Sequence, residues 1–133
     1  MSAAEPFFDT SVLLYLLSSD TRKADRAERL LETGGVISVQ VLNEFASVAR
    51  RKLNLTLPQV REVLATFRVV CSVIPLTESI HDRGLDIHAR HQLSLYDAMI
   101  VAAAIEAGSS VLYSEDLQHG RIFQRSLRVV NPF

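Results

Sequence analysis

Short apolar runs alternate along this chain with longer stretches in which apolar residues recur every three or four positions. That alternation predicts an α/β fold, a mostly parallel central sheet of about five strands flanked by helices. The first strand is Phe7-Phe8, closed by Asp9, and a helix follows from about Ser11 to Leu17. A second helix runs from Thr21 to Glu32, with Ala24, Ala27, Leu30 and Leu31 on its inner face; Gly34-Gly35 ends it. Val36-Ile37 is a short strand, and Ser38 caps a helix over about Val39 to Lys52. Thr56 with Gln59 reads as a capping box opening a helix to about Phe67, before a third strand over Val69 to Ile74. The next helix spans Thr77 to His91, weakened at Gly84. Ser94 caps the most apolar helix, Leu95 to Ala107, whose interior is apolar on nearly every side and is expected to be buried. Val111 to Tyr113 and Leu127 to Val130 are the last strands.

The 133 residues suit a single domain over 1–133, with a core burying roughly two-thirds of the unfolded surface. The longest apolar run, Ala98 to Ile105, falls far short of the roughly 18 residues of a membrane span. Met1 to Pro6 lacks a basic segment and carries Glu5, so no signal peptide is expected. One cysteine excludes an internal disulfide and a cysteine-based zinc cage, and a cytoplasmic setting is the simplest expectation. A net charge of -1 is not that of a DNA-coating protein. Nucleic acid must then be met by local patches: Arg22 to Arg29, Arg50-Arg51-Lys52 or Arg121 to Arg128.

Ligands of open α/β sheets collect beyond the carboxyl ends of the strands. Asp9 closes the first strand, Asp116 follows the fourth, Asp97 lies in the first turn of the buried helix, and Glu44 lies beside the apolar stripe of the third. Each has a local alternative. Asp9 and Asp116 suit helix caps or turns, Asp97 suits a capping box with Ser94, and Glu44 suits a solvated stripe edge. Four separate local roles do not explain a shared location. Gathered carboxylates repel one another and demand protons or a cation. Magnesium or manganese is the natural compensation, because both prefer oxygen ligands and keep part of their water shell.

Four segments then converge on one family: FDTSVLL at 8–14, SVQVLNEF at 38–45, LYDAMIVAAA at 95–104 and LYSEDL at 112–117. In order and spacing they resemble the PIN-domain ribonucleases, especially the toxins of VapBC-type toxin–antitoxin pairs. The resemblance implies a PIN fold and a Mg²⁺- or Mn²⁺-dependent endoribonuclease. Carried over by position, Asp9, Glu44, Asp97 and Asp116 are the acidic metal-site residues, with Asp9 and Asp97 as direct ligands. Ser11 and Ser114 supply supporting hydroxyls, and Glu115 adds a carboxylate beside Asp116. An RNA substrate, a small antitoxin protein and a homodimer are the implied partners. The competing reading is a non-catalytic module of this fold that binds an antitoxin-like peptide or itself; Leu31, Val48 and Phe67 are core residues by default and line a partner groove in that reading.

Other chemistries lack their residues. Ser11 stands where a haloacid-dehalogenase phosphatase has its second Asp, and no lysine follows Lys52 to serve a receiver domain. Neither a Gly-rich phosphate loop nor a Gly-x-Ser-x-Gly elbow occurs. Glu78 with His81 has the spacing of half a di-iron motif but no second copy. His88 and His91 read as solvent-exposed residues, and His119 is a weaker candidate for a phosphate contact.

Overall fold

In the computed structural model, which describes residues 4–133, six strands form one sheet in the order β3-β2-β1-β4-β6-β5. Residues 1–3, part of the segment in which no signal peptide is expected, lie outside the described residues. The elements are β1 (Phe7–Phe8), α1 (Thr10–Tyr15), α2 (Thr21–Glu32), β2 (Gly35–Ser38), α3 (Val39–Arg51), α4 (Leu57–Val70), β3 (Cys71–Ile74), α5 (Glu78–His91), α6 (Leu95–Glu106), β4 (Val111–Tyr113), β5 (Ile122–Phe123) and β6 (Leu127–Val130). Every neighbouring pair is parallel except β5–β6. The chain moves outward from β1 through β2 to β3, then returns through α5 and α6 to β4 on the other side of β1. The strand order therefore reverses between β1 and β4, the place where such sheets open a crevice at their carboxyl ends.

The core is built from the sheet, with Phe7, Phe8, Ile37, Leu112 and Val129 fully buried, and from the inner faces of the helices. Ala98 to Ala104 of α6 are all buried, as the all-round apolar sequence requires. Leu31 and Phe67 also belong to the core, so neither lines a partner groove; Val48 is only partly covered.

Four local expectations are corrected. The helix α4 runs on to Val70, so Val69 and Val70 are helical and Val69 is 85% exposed. Their β-branched run suggests a strand, but β2 offers only Gly35 to Ser38 for pairing, and these match Cys71 to Ile74 one for one. Extending an existing helix needs no new nucleus. A sixth strand, β5, pairs with β6 through a tight turn in which Gln124 and Arg125 both take positive φ (49° and 62°). That backbone usually calls for Asn-Gly, so Gln-Arg carries no hairpin signal. Gly84 does not interrupt α5: a Cβ there would stand 2.5 Å from Met99 Sδ, so the glycine lets α6 pack close. Gly35 belongs to β2 rather than to the end of α2, and its missing Cβ makes room for the Phe8 ring and the Pro6 carbonyl.

Candidate active site

Asp9 follows β1 at the switch point and is 3% exposed. Its backbone N–H donates to the Tyr113 carbonyl at 3.0 Å, which continues the β1–β4 pairing to the crevice. Its carboxylate is held by three donors: the Thr10 backbone N–H at 2.8 Å, the Ser114 hydroxyl at 2.7 Å and the Ser11 hydroxyl at 3.1 Å. The cap of α1 and the buried acid are thus the same residue. Burial pushes its pKa from the ordinary 3.8 up to about 7; the Ser114 hydrogen bond opposes this, and the charges of Asp116 and Asp97 add to it.

The hydroxyls that hold Asp9 also hold the loop after β4. Ser114 Oγ accepts the backbone N–H groups of Asp116 and Leu117, each at 3.1 Å, and Ser11 Oγ accepts that of Glu115 at 3.2 Å. Asp116 lies on the exposed rim, where partial burial, then Asp97 and Glu115, raise its pKa. Glu115 turns the other way. It accepts hydrogen bonds from the Tyr15 hydroxyl and from Lys23 Nζ, the latter at 3.1 Å, and the Tyr15 bond leads the causes that lower its pKa. With its charge matched by Lys23, Glu115 is spent on a structural ion pair.

Glu44 projects from α3, half-buried. Thr10 Oγ1 donates to it at 3.1 Å, and the Gln40 amide one turn earlier helps lower its pKa. Burial raises its pKa most, the Thr10 bond opposes this, and Asp97 and Asp116 push it further up. Asp97 lies in the first turn of α6. Its backbone N–H donates to Ser94 Oγ at 3.1 Å, but its carboxylate does not return to close a capping box. It is therefore left for the crevice, and its charge is felt by Asp9, Glu44 and Asp116 alike.

Asp9, Glu44, Asp97 and Asp116 thus form one electrostatically connected set, drawn from four separate segments. Among the described residues the ion pairs are Lys23–Glu115 and Arg83–Glu106, so no protein cation answers this set. Nor do three His, Cys, Asp or Glu side chains among the described residues close into a cage around an ion. An all-oxygen donor set with one carboxylate already engaged by hydroxyls fits Mg²⁺ or Mn²⁺, which need only one or two direct carboxylates and keep several waters. It does not fit a fully dehydrated site.

A family model described as the PIN domain matches residues 7–123. The chain belongs to the PIN domain family. Solved structures agree on the fold. A toxin–antitoxin complex from Klebsiella pneumoniae aligns with a TM-score of 0.73 and 21% identity, covering 96% of this chain and 98% of that one. VapC20 of Mycobacterium tuberculosis, a sarcin-ricin loop cleaving toxin, aligns at 0.68 and 22% identity over 82% of this chain and 88% of its own. VapBC2 of Rickettsia felis, bound to a DNA fragment from its promoter, aligns at 0.68 and 17% identity over 95% and 98%. No curated protein matches the sequence significantly.

Within this PIN domain, the sequence marked Ser11 and Ser114 beside Asp9 but not Thr10, Gln40, Tyr15 or Lys23. Gln40 was legible, because it precedes Glu44 by four residues on one helix. Thr10 lies between two noted residues, yet its partner is 34 positions away. Tyr15 and Lys23 carry no local signal, since both meet Glu115 across the fold. The histidines stay outside. His88 Nδ1 lies 2.6 Å from the Leu93 carbonyl, the His91 ring meets Phe123 edge-on, and His119 Nδ1 accepts the Asn131 N–H at 3.0 Å. Of the basic segments, Arg50 to Lys52 borders the acids: Arg51 shares a cleft with Glu44, and Lys52 shares a groove with Ser11 and Asp116.

Proposed function

We propose that this chain is a Mg²⁺- or Mn²⁺-dependent endoribonuclease acting in the cytoplasm as the toxin of a toxin–antitoxin pair, a single domain over its 133 residues. The observation that carries the reading is the set of four carboxylates at the sheet's switch point, coupled through Asp97 and Asp116, with no ion pair to a protein cation among the described residues. Membership of the PIN family supports it, as does the likeness in fold to VapC toxins. In this reading Asp9 and Asp97 hold the ion directly, and Glu44 and Asp116 bind it or orient its waters. The bound ion supplies charge stabilisation at the phosphoryl group and an activated water at neutral pH. Ser11 and Ser114 fix the Asp9 carboxylate, and Thr10 fixes that of Glu44. With Asp9 poised near 7, a cation is what keeps it ionised at neutral pH. The accompanying partners are a small antitoxin protein and a second copy of the chain.

The test is a Mg²⁺ and Mn²⁺ titration of purified, partner-free protein against total cellular RNA, with Asp9→Asn and Asp97→Asn in parallel. We expect discrete fragments that vanish on chelation and fall by about 10–100-fold or more in either variant. Full metal-dependent cleavage by Asp97→Asn would overturn the assignment. A folded protein that binds neither metal nor RNA but retains a peptide partner would establish the non-catalytic module instead.

A further inference from the structure

Two clefts meet at α3 and share Val48 as a wall. One, of about 350 Å³, includes Ser11 and Asp116. The other, of about 440 Å³, is lined by Asn43, Glu44, Ser47, Arg51 and Tyr96 besides Val48. The second cleft therefore begins at an acid of the site and ends at a cation.

Its walls are unusual for a surface that only faces water. Asn43, Ser47 and Arg51 are spaced four apart and form a polar ladder along one face of α3. Arg51 Nε donates to Ser47 Oγ at 3.1 Å, which steadies the guanidinium against the helix. Tyr96 lines the same cleft from another helix, 61% exposed at the start of α6, whose interior is wholly buried. Tyr96 immediately precedes Asp97, so its backbone is fixed next to an acid of the site.

We propose that this cleft is a nucleobase subsite, in which Tyr96 stacks an unpaired base of single-stranded RNA, Asn43 contacts its edge and Arg51 holds a neighbouring phosphate. The inference rests on the ribonuclease reading and adds to it where the strand lies. An aromatic face accepts any base, and an amide offers a donor and an acceptor to a base edge. Sequence-selective RNA recognition uses unpaired bases splayed onto aromatic side chains in this way. The four carboxylates repel a phosphodiester, so a strand reaching them needs a cationic hold nearby; Arg51 lines the same cleft as Glu44. A volume within the roughly 300–1,000 Å³ of small-molecule pockets admits a single base.

The test uses short single-stranded homopolymers of A, C, G and U with wild type, Tyr96→Ala, Tyr96→Phe, Asn43→Ala and Arg51→Ala. Binding is read by fluorescence anisotropy in chelator, and kcat and KM are read separately in Mn²⁺. Tyr96 is exposed, so its replacement leaves the fold intact. We expect Tyr96→Ala to raise Kd and KM by about 5- to 100-fold with a smaller change in kcat, and Tyr96→Phe to restore both. Asn43→Ala should flatten the preference among the four homopolymers. Arg51→Ala should weaken all four and reduce the salt dependence by about one phosphate contact. Unchanged Kd and KM in Tyr96→Ala, with wild type binding and cleaving, would overturn the subsite alone. Wild type that neither binds nor cleaves any of the four would overturn the ribonuclease reading and the subsite with it.

Discussion

Asp9 concentrates the physical tension of the molecule in one side chain. Its raised pKa means that the folded chain holds a proton more tightly than the unfolded chain does. The associated stability is fully present below the unfolded value near 3.8 and is lost as pH rises through about 7. The loss is on the order of 4 kcal/mol, and Glu44 and Asp116 shift in the same direction. Urea unfolding of metal-free protein should therefore show lower stability at pH 8 than at pH 5. Asp9→Asn should flatten most of that slope and be the more stable form at pH 8; a wild type equally stable at both pH values would contradict the buried-charge account. Ser114→Ala removes the hydrogen bond that opposes the shift, so the acidic limb of the metal-dependent cleavage profile should move to higher pH. An unmoved limb would show that Ser114 serves the loop alone.

Individual elements place these residues, and their boundaries follow pairing rather than propensity. At Gly35 an added Cβ would come within 2.4 Å of the Phe8 ring and 2.7 Å of the Pro6 carbonyl. The backbone oxygen cannot swing aside as a side-chain tip does, so Gly35→Ala should cost about 1–3 kcal/mol in chemical denaturation. Phe8 precedes Asp9, so the same change should lower activity; wild-type stability would mean that β1 and β2 adjust freely. Val69 tests the corrected end of α4. A strand residue facing the core would not tolerate charge, whereas at 85% exposure Val69→Lys should change stability by no more than about 0.5 kcal/mol. A loss of several times that would restore the strand reading.

At the scale of the whole molecule, the sheet order does the assembling. The order reverses between β1 and β4, which brings Asp9 and the Ser114–Asp116 loop to one edge although they are more than a hundred residues apart. Helices α3 and α6 add Glu44 and Asp97 to the same charged set. An ion that binds the folded chain alone stabilises it by about 2.7 kcal/mol at a hundred times its Kd. Saturating Mn²⁺ should accordingly raise the Tm of wild type and leave that of Asp9→Asn nearly unmoved. An equal rise in both would place the ion elsewhere. Among the described residues no helix is long and apolar enough to cross a membrane.

Much of this was legible in the sequence because its causes are local. Helix caps at Ser38, Thr56 and Ser94 act over three residues, apolar periodicity is written along each element, and Asp9, Asp97 and Asp116 stand at or near element ends while Glu44 flanks an apolar stripe. The chain order of those elements already implied the parallel sheet. Tertiary structure decided the rest, because it depends on side chains that meet from distant segments. It turned Glu115 toward Tyr15 and Lys23 and left Asp116 on the rim of the site, a choice between neighbours that no local pattern could make. It also began β3 only where its partner strand begins, and it brought Arg51 and Tyr96 to line one cleft, since burial and pairing are properties of the packed chain.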